Sequence, residues 1–174
     1  MAKLRYLRIG LALGIGALLA CQPPSSTNSA SPASSNQAAG AAGRRSEFPS
    51  RDLSQDEAAG GHVLRKHVGR TDEQLRERLE EEPNISGAST YADRAMAERA
   101  IGEAIGQSRE RIQRWVTRSG GHANLVLDYD SDQPIGRTMN RGDSQSRPCS
   151  HAIVVLRYDP PDSYHVLTSY PECR

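Results

Sequence analysis

Two runs of alternating apolar and polar residues near the C-terminal end constrain the fold more than any other feature of the chain. Residues 151–159, HAIVVLRYD, and residues 163–171, SYHVLTSYP, both have the two-residue period of a β-strand. They meet at Asp-Pro-Pro-Asp, residues 159–162, a combination that favours a turn and cannot continue a central strand. The sequence therefore predicts an antiparallel β-hairpin at the end of the fold.

The segment before Pro83 has the pattern of two short helices. Residues 54–68 place apolar side chains at helical spacing, and Gly69 marks their end. Thr71 then begins TDEQ, a capping box in which the Gln74 side chain reaches back to the Thr71 amide. Pro83 ends the second helix.

A third helical region is expected to start at STYAD, with Ser89 or Thr90 as its cap. It should break near Gly106 and stop at the glycine pair 120–121. Beyond that glycine pair, the apolar residues recur every second position, which is the period of a β-strand.

Residues 123–130, ANLVLDYD, are the first predicted strand, whereas the polar residues 131–150 are expected to form a loop. Short helices followed by an antiparallel sheet with a C-terminal hairpin define an α+β fold class.

The first twenty residues have the pattern of a lipoprotein signal peptide. A basic start, MAKLRYLR, precedes IGLALGIGALLA, which is too short to span a bilayer as a stable helix. The sequence Leu18-Leu19-Ala20-Cys21 resembles a bacterial lipobox, which implies cleavage before Cys21 and lipidation of this residue. The alternative is a chance cysteine after an ordinary secretory signal. Both alternatives predict export, and Gln22 in place of an aspartate favours the outer membrane.

Residues 21–51 are expected to be a disordered tether that begins at the lipidated Cys21. They include QPPSSTNSASPASSNQAAGAAG, whose few apolar residues cannot offset the entropy of ordering the chain. The folded domain should therefore span residues 52–174. With 36% hydrophobic residues, one Trp and one Phe in the whole chain, this domain has material for a modest core only.

Cys149 and Cys173 stand symmetrically about Pro161, the centre of the predicted hairpin. In a non-hydrogen-bonded antiparallel pair, the distance between opposite residues lies within disulfide reach. Because the chain is predicted to be exported, we expect these two cysteines to form a disulfide. Two free thiols are the alternative.

The charge of the predicted domain argues against non-specific binding to nucleic acid. Residues 52–174 hold sixteen basic and twenty acidic side chains, a balance of minus four. A nucleic-acid ligand would therefore have to be held by a local cluster of basic groups rather than by a bulk basic field.

One such cluster is predicted where the first two helices meet, around His67 and its neighbouring arginines. In the last strand, Thr168 and Tyr170 should share a face with Tyr164 and Val166, and the opposite face should carry His165, Leu167 and Ser169. If Thr168 and Tyr170 face a cleft, the helices can bring His67 to it. An imidazole, a guanidinium and hydroxyl groups suit cleavage of an RNA phosphodiester without a metal. Taken alone, however, such residues more often belong to an ordinary surface or to the edge of a core than to a catalytic site.

Three stretches of the chain resemble the bacterial RNase A-like toxin domain, which is best known from the C-terminal ends of contact-dependent growth inhibition proteins. They are GGHVLRKHVGRTDEQLRERL, STYADRAMAERAI and VVLRYDPPDSYHVLTSYPE. The resemblance covers roughly residues 54–173. It implies an α+β fold like that of pancreatic ribonuclease, metal-independent cleavage of RNA and no cofactor.

The resemblance also implies an active site. The family assigns it to the histidine of KHVG, the arginine of the following RL, and the Thr and Tyr of the last strand, which fall on His67, Arg78, Thr168 and Tyr170. His67 is then the general acid or base and Arg78 the phosphate clamp. Thr168 and Tyr170 would bind the phosphate or base and orient the histidine.

The other histidines are assigned lesser roles. His62 precedes His67 by five positions, about 140° around a helix, so the two should not project alike, and it is a lesser candidate for a catalytic or substrate-binding role. We expect His165 to lie on the face opposite the catalytic strand residues, and His122 and His151 to be structural. No pair of them has the spacing of metal ligands, so no metal site is predicted.

Three functions remain open at this level. The first is an active ribonuclease, deployed as a toxin or effector or held in the envelope. The others are a binding module that keeps the fold without catalysis, and a structural envelope lipoprotein. The presence of all four family residues favours the ribonuclease. Its partners would be RNA, a cognate immunity protein, and the membrane through Cys21.

Overall fold

Five helices and six strands make up residues 47–174, the part of the chain that a computed structural model describes. The helices are α1 (Leu53–Ala58), α2 (Val63–His67), α3 (Asp72–Glu81), α4 (Arg94–Gln107) and α5 (Arg109–Val116). The strands are β1 (Gly87–Tyr91), β2 (Leu125–Asp130), β3 (Gly136–Asn140), β4 (Arg147–Cys149), β5 (His151–Asp159) and β6 (Ser163–Glu172). The predicted signal peptide, Cys21 and most of the tether lie outside the described residues.

The strands form two antiparallel three-stranded sheets, with orders β1-β3-β4 and β2-β5-β6. The α+β fold class and the C-terminal hairpin of β5 and β6 are therefore confirmed. Within residues 47–174, none of the helices has the length and apolar character needed to cross a bilayer.

The main core lies between helices α4 and α5 and one face of the β2-β5-β6 sheet. Its helical side includes Ala97, Ile101 and Trp115, and its sheet side includes Leu127, Val154, Leu156 and Val166. We call this side of the sheet its inner face and the opposite side its outer face. A smaller apolar cluster joins α3 to the other sheet through Leu75, Leu79, Ala88 and Met139.

The helical region predicted over residues 54–68 is two helices, α1 and α2. They are separated at Gly60, whose φ of 109° is accessible mainly to glycine. A Cβ on the following Gly61 would lie only 2.4 Å from the carbonyl oxygen of Val166. The chain therefore turns between the two helices in close contact with β6. The capping box at the start of α3 is present as predicted, with hydrogen bonds between Thr71 and Gln74 in both directions.

The prediction that STYAD starts a helix is wrong, because these residues contain the end of β1. Ser89 and Thr90 are buried in that strand, which pairs with β3. The cap of α4 is Asp93, whose carboxylate accepts a hydrogen bond of 2.7 Å from the Met96 amide. The third helical region does break as expected, and α4 and α5 meet at Ser108.

The segment 131–150 is not a loop throughout, since it contains β3 and β4. These strands have five and three residues, and their side chains are mostly polar, so the sequence shows no clear alternation. Cys149, the last residue of β4, forms a disulfide with Cys173, and their Cα atoms lie 4.8 Å apart. The disulfide therefore links the β1-β3-β4 sheet to the end of β6.

A β-bulge in β6 changes which residues share a face. Thr168 lies opposite Val155, but Val166 lies opposite Leu156, so Leu167 is an extra residue. Val166 consequently points into the core with Leu156, and both are fully buried. The expectation that Val166 shares a face with Thr168 is wrong, because a strand with a bulge does not keep the two-residue period.

The same bulge corrects the expected position of His165. This residue pairs with Arg157, which lies two positions from Val155, the partner of Thr168. Residues two apart in a regular strand share a face. His165 therefore lies on the outer face of the sheet with Thr168, not on the opposite one.

Candidate active site

His67 is the last residue of α2 and is held against β1. The residues that follow it donate two hydrogen bonds to that strand. The Gly69 amide donates to the Tyr91 carbonyl at 3.2 Å, and the Arg70 amide donates to Thr90 Oγ1 at 3.0 Å. The His67 ring itself places Nδ1 3.1 Å from the Ser89 carbonyl oxygen. Because a carbonyl only accepts hydrogen bonds, Nδ1 carries the proton and Nε2 presents its lone pair.

The surroundings of His67 keep the imidazole neutral. Burial first, and then the positive charge of Arg78, lower the pKa of His67 from 6.5 to about 3, while the Ser89 carbonyl acts in the opposite direction. A neutral imidazole with its proton fixed on Nδ1 is a base at Nε2.

Arg78 lies on α3, one position before the buried Leu79, and its side chain is 19% exposed. Its Nε donates a hydrogen bond of 3.2 Å to Glu82 Oε1, and Glu82 also accepts one of 3.3 Å from Lys66 Nζ. Nη1 of Arg78 is buried and has no hydrogen-bond partner within residues 47–174. Because a buried unpaired donor is costly, an anion at this position would satisfy it.

Thr168 and Tyr170 lie on the outer face of the sheet, opposite Val155 and Ile153 of β5. The hydroxyl oxygen of Thr168 is buried and, like Arg78 Nη1, has no partner in the described part of the chain. Burial, followed by the charge of Glu172, raises the pKa of Tyr170, so its phenol is protonated at neutral pH and can donate a hydrogen bond.

The structure brings the predicted catalytic residues together from three elements. The rings of His67 and Tyr170 have centroids 5.6 Å apart. Arg78 is close enough to lower the pKa of both His67 and His62 through its charge. A base, a guanidinium with an N–H that no described residue binds, and two hydroxyl groups thus occupy one region of the fold.

His62 lies nearer to His67 than an angle around one helix would suggest. It is the N-cap of α2 and has non-helical φ and ψ of −149° and 26°. Its ring centroid lies 6.3 Å from that of His67, and burial followed by the charge of Lys66 lowers the pKa of His62. His62 therefore lies beside His67, and its role in substrate binding stays a prediction.

The other three histidines have partners of their own. Nδ1 of His165 lies 2.6 Å from Asp159 Oδ2, and Nδ1 of His151 lies 2.9 Å from Asp130 Oδ1. His122 stacks on Tyr158 with 3.7 Å between ring centroids. The contact between His165 and Asp159 was not predicted, since the sequence shows Asp159 only as part of a turn. No group of three or more possible metal ligands occurs among residues 47–174.

A surface cavity of about 330 Å³ lies elsewhere, between residues 49–51, α4, α5 and Tyr164. None of the four predicted catalytic residues lines it. The candidate site is therefore separate from this cavity.

Comparisons with known proteins agree with this fold. Residues 61–171 match the family model described as bacterial CdiA-CT RNAse A domain. A similar solved structure is the crystal structure of a CdiA-CT/CdiI complex from Y. kristensenii 33638, with 32% sequence identity and a TM-score of 0.58. The alignment covers 64% of this chain and 99% of that chain. No curated protein matches this chain.

Proposed function

Because the chain belongs to the bacterial CdiA-CT RNAse A domain family, we propose that it is a metal-independent ribonuclease that cleaves RNA by acid–base transesterification. The observation that carries this proposal is the position of a neutral His67 near Arg78, whose buried Nη1 has no hydrogen-bond partner among residues 47–174. The first group supplies a base and the second a site for a phosphate oxygen.

The cleavage step follows from these positions. Nε2 of His67 takes the proton of a ribose 2′-hydroxyl, whose oxygen attacks the adjacent phosphorus. The bond from phosphorus to the 5′-oxygen of the next nucleotide breaks, and that oxygen takes a proton from water as it leaves. Arg78 stabilises the charge that develops on the non-bridging oxygens, and the Thr168 and Tyr170 hydroxyls donate hydrogen bonds to the phosphate. The products are a 2′,3′-cyclic phosphate and a free 5′-hydroxyl.

A bound phosphate should also change the proton affinity of His67. Its negative charge would offset the positive charge of Arg78, which is one of the two main causes of the low pKa of His67. The imidazole therefore becomes a stronger base when the substrate is in place.

The products test this mechanism. Full-length protein should convert 5′-labelled RNA, in an excess of EDTA, to fragments that end in 2′,3′-cyclic phosphate. DNA of the same sequence should stay intact, because it lacks the 2′-hydroxyl. RNA fragments with 5′-phosphate ends, or cleavage that EDTA abolishes, would contradict the proposal.

We propose a toxin or effector role and a protein partner that neutralises it. The similar Y. kristensenii domain was crystallised in complex with CdiI, which motivates a cognate immunity protein for this chain. Co-expression with the product of the adjacent open reading frame should prevent RNA cleavage. Unchanged cleavage in a verified complex would argue against an immunity role.

Export and anchoring are a separate proposal, which rests on residues 18–21. We propose that the mature chain starts at a lipidated Cys21 and is held in the envelope, at the outer membrane, by this lipid. Mass spectrometry of the chain from membrane fractions should show a diacylglyceryl group at Cys21. An intact Met1 or an unmodified Cys21 would contradict it.

A further inference from the structure

An ion pair between the buried carboxylate of Asp56 and the partly exposed Arg51, ahead of the family-matched residues, contacts the strand that carries Thr168 and Tyr170. We propose that Asp56, together with Arg51, is a positioning residue for RNA cleavage, an inference that rests on the proposed function. Both residues precede the region 61–171 that matches the family model.

Asp56 is placed between the N-terminal segment and β6. Its side chain is 2% exposed, and its Oδ1 accepts a hydrogen bond of 2.8 Å from the Val166 amide. The Arg51 guanidinium binds both carboxylate oxygens, with Nη2 at 2.7 Å from Oδ1 and Nε at 2.9 Å from Oδ2. The carboxylate is therefore neutralised by a bidentate pair while it holds the backbone of β6.

This contact falls on the bulge of β6. Leu167 is the extra residue of the bulge and has no partner in the register with β5, and it follows Val166, which pairs with Leu156. The Val166 amide donates to Asp56, and the Leu167 carbonyl accepts a hydrogen bond of 3.0 Å from the His62 amide. Asp56 of α1 and the N-cap of α2 thus bind backbone groups of β6 at the bulge.

The bulge links the two halves of the candidate site. On its C-terminal side, it turns Thr168 to the outer face, where Tyr170 meets His67. Through the Leu167 carbonyl, it also holds the amide of His62, the N-cap of the helix that ends at His67. A change at Asp56 should therefore alter the relative position of the base and the hydroxyl groups.

Stability alone gives a weak reason for such a pair. Two charges lose hydration when they are buried, and apolar residues of similar volume often stabilise a fold equally well or better. The carboxylate instead provides an acceptor at one defined point of the backbone. The Arg51 amide, which donates 2.9 Å to the Glu98 carbonyl on α4, fixes the other partner of the pair.

Three variants separate positioning from folding. Asp56→Ala removes the acceptor, and Asp56→Asn keeps a side-chain oxygen for the Val166 amide. Ile101→Ala in α4 is a control that removes buried apolar volume from the main core without changing the contact between Asp56 and Val166. All are compared well below their unfolding temperatures. We expect Asp56→Ala to lower kcat by about 10- to 100-fold with KM changed less than about 3-fold, because small displacements of reacting groups are costly.

Asp56→Asn should recover most of this kcat, and Ile101→Ala should keep the kcat of the unchanged chain. Equal losses in Asp56→Ala and in the Ile101→Ala control would overturn the positioning role. So would an Asp56→Asn variant as slow as Asp56→Ala although folded.

A second measurement does not depend on RNA cleavage. Amide hydrogen exchange at Val166 should be slow in the unchanged chain and in Asp56→Asn, and fast in Asp56→Ala. The NMR pKa of His67 should rise in Asp56→Ala, since a loosened contact with β6 admits water. If the unchanged chain cleaves no RNA, the proposed function fails, and these two readouts still decide whether Asp56 positions the site. An exchange rate at Val166 unaffected by Asp56→Ala would overturn the inference.

Discussion

The imidazole of His67 lies 5.6 Å from the phenol ring of Tyr170, measured between ring centroids, although 102 intervening residues separate them in the chain. The first belongs to a helix of five residues and the second to the last strand of the fold. Their contact brings the predicted base next to a protonated hydroxyl group. The following predictions concern this site and the structure that supports it.

Arg78→Lys should lower kcat/KM by about 10-fold or more, although the charge is kept. A lysine ammonium lacks the planar guanidinium geometry that contacts two phosphate oxygens at once. It also lacks a second, separate donor such as Arg78 Nε, which binds Glu82. Steady-state cleavage of a short RNA gives this ratio. Arg76→Lys, two positions earlier on the exposed side of α3, is the matched control and should cleave normally. An Arg78→Lys variant with full activity would rule out the bidentate clamp.

Thr168→Val should reduce cleavage without destabilising the fold. The Thr168 hydroxyl oxygen is buried and unpaired among the described residues, so replacing it with a methyl group removes no hydrogen bond. We expect an activity loss of roughly 10-fold, in the range of one charge-assisted hydrogen bond, and a free energy of unfolding equal to or above that of the unchanged chain. Urea denaturation and cleavage rates measured on the same samples test both parts. A large loss of stability would show that the hydroxyl is bound within the fold.

Stability should decrease as the pH falls from about 6.5 towards 3, in part because of His67. The pKa of His67 is about 3 in the folded chain and near 6.5 when it is exposed, so the unfolded chain binds more protons between these values. One extra proton on the unfolded state corresponds to a slope of about 1.4 kcal/mol per pH unit. Urea denaturation at pH 7, 6 and 5 measures it.

His67→Gln is the comparison for this pH dependence, because it keeps a polar side chain and does not titrate. Its unfolding free energy should change less between pH 7 and 5 than that of the unchanged chain. Two parallel curves would show that His67 is not held neutral in the fold.

Reduction of the bond between Cys149 and Cys173 should lower the free energy of unfolding by about 3 kcal/mol in the chain-entropy model. The bond closes a segment with a sequence separation of 24 and joins β4 to the end of β6. Urea denaturation with and without a thiol reductant measures the difference. The double variant Cys149→Ser, Cys173→Ser should behave like the reduced chain and be insensitive to the reductant. Alkylation of both thiols before any reduction would disprove the bond.

Strong local patterns in the sequence predicted a large part of the fold. The β5-β6 hairpin followed from alternation around Pro160-Pro161, and the start of α3 from the reciprocal bonding of Thr71 and Gln74. The family resemblance supplied His67, Arg78, Thr168 and Tyr170, which the structure brings to one surface. Residue spacing alone could not select them from other surface polar groups.

The features that were missed depend on contacts between distant segments. The residues of β1 have helix-capping side chains, but pairing with β3 and burial of Ser89 make them a strand. The bulge at Leu167 cannot be recognised from the alternation of apolar and polar residues, and because of it His165 lies on the face opposite to the expected one. The acceptor for His67 Nδ1, the Ser89 carbonyl, could not be foreseen while that segment was assigned to a helix.

The most direct test of the proposed chemistry is the rate of RNA cleavage by the full-length chain and by His67→Ala, in EDTA. Circular dichroism and urea denaturation of both proteins must first show that the variant is folded. We predict that the unchanged chain cleaves RNA and that His67→Ala is slower by about 10²-fold or more, because general acid–base groups typically contribute 10²–10⁴. RNA left intact by the unchanged chain, or equal rates for the two proteins, would contradict the account.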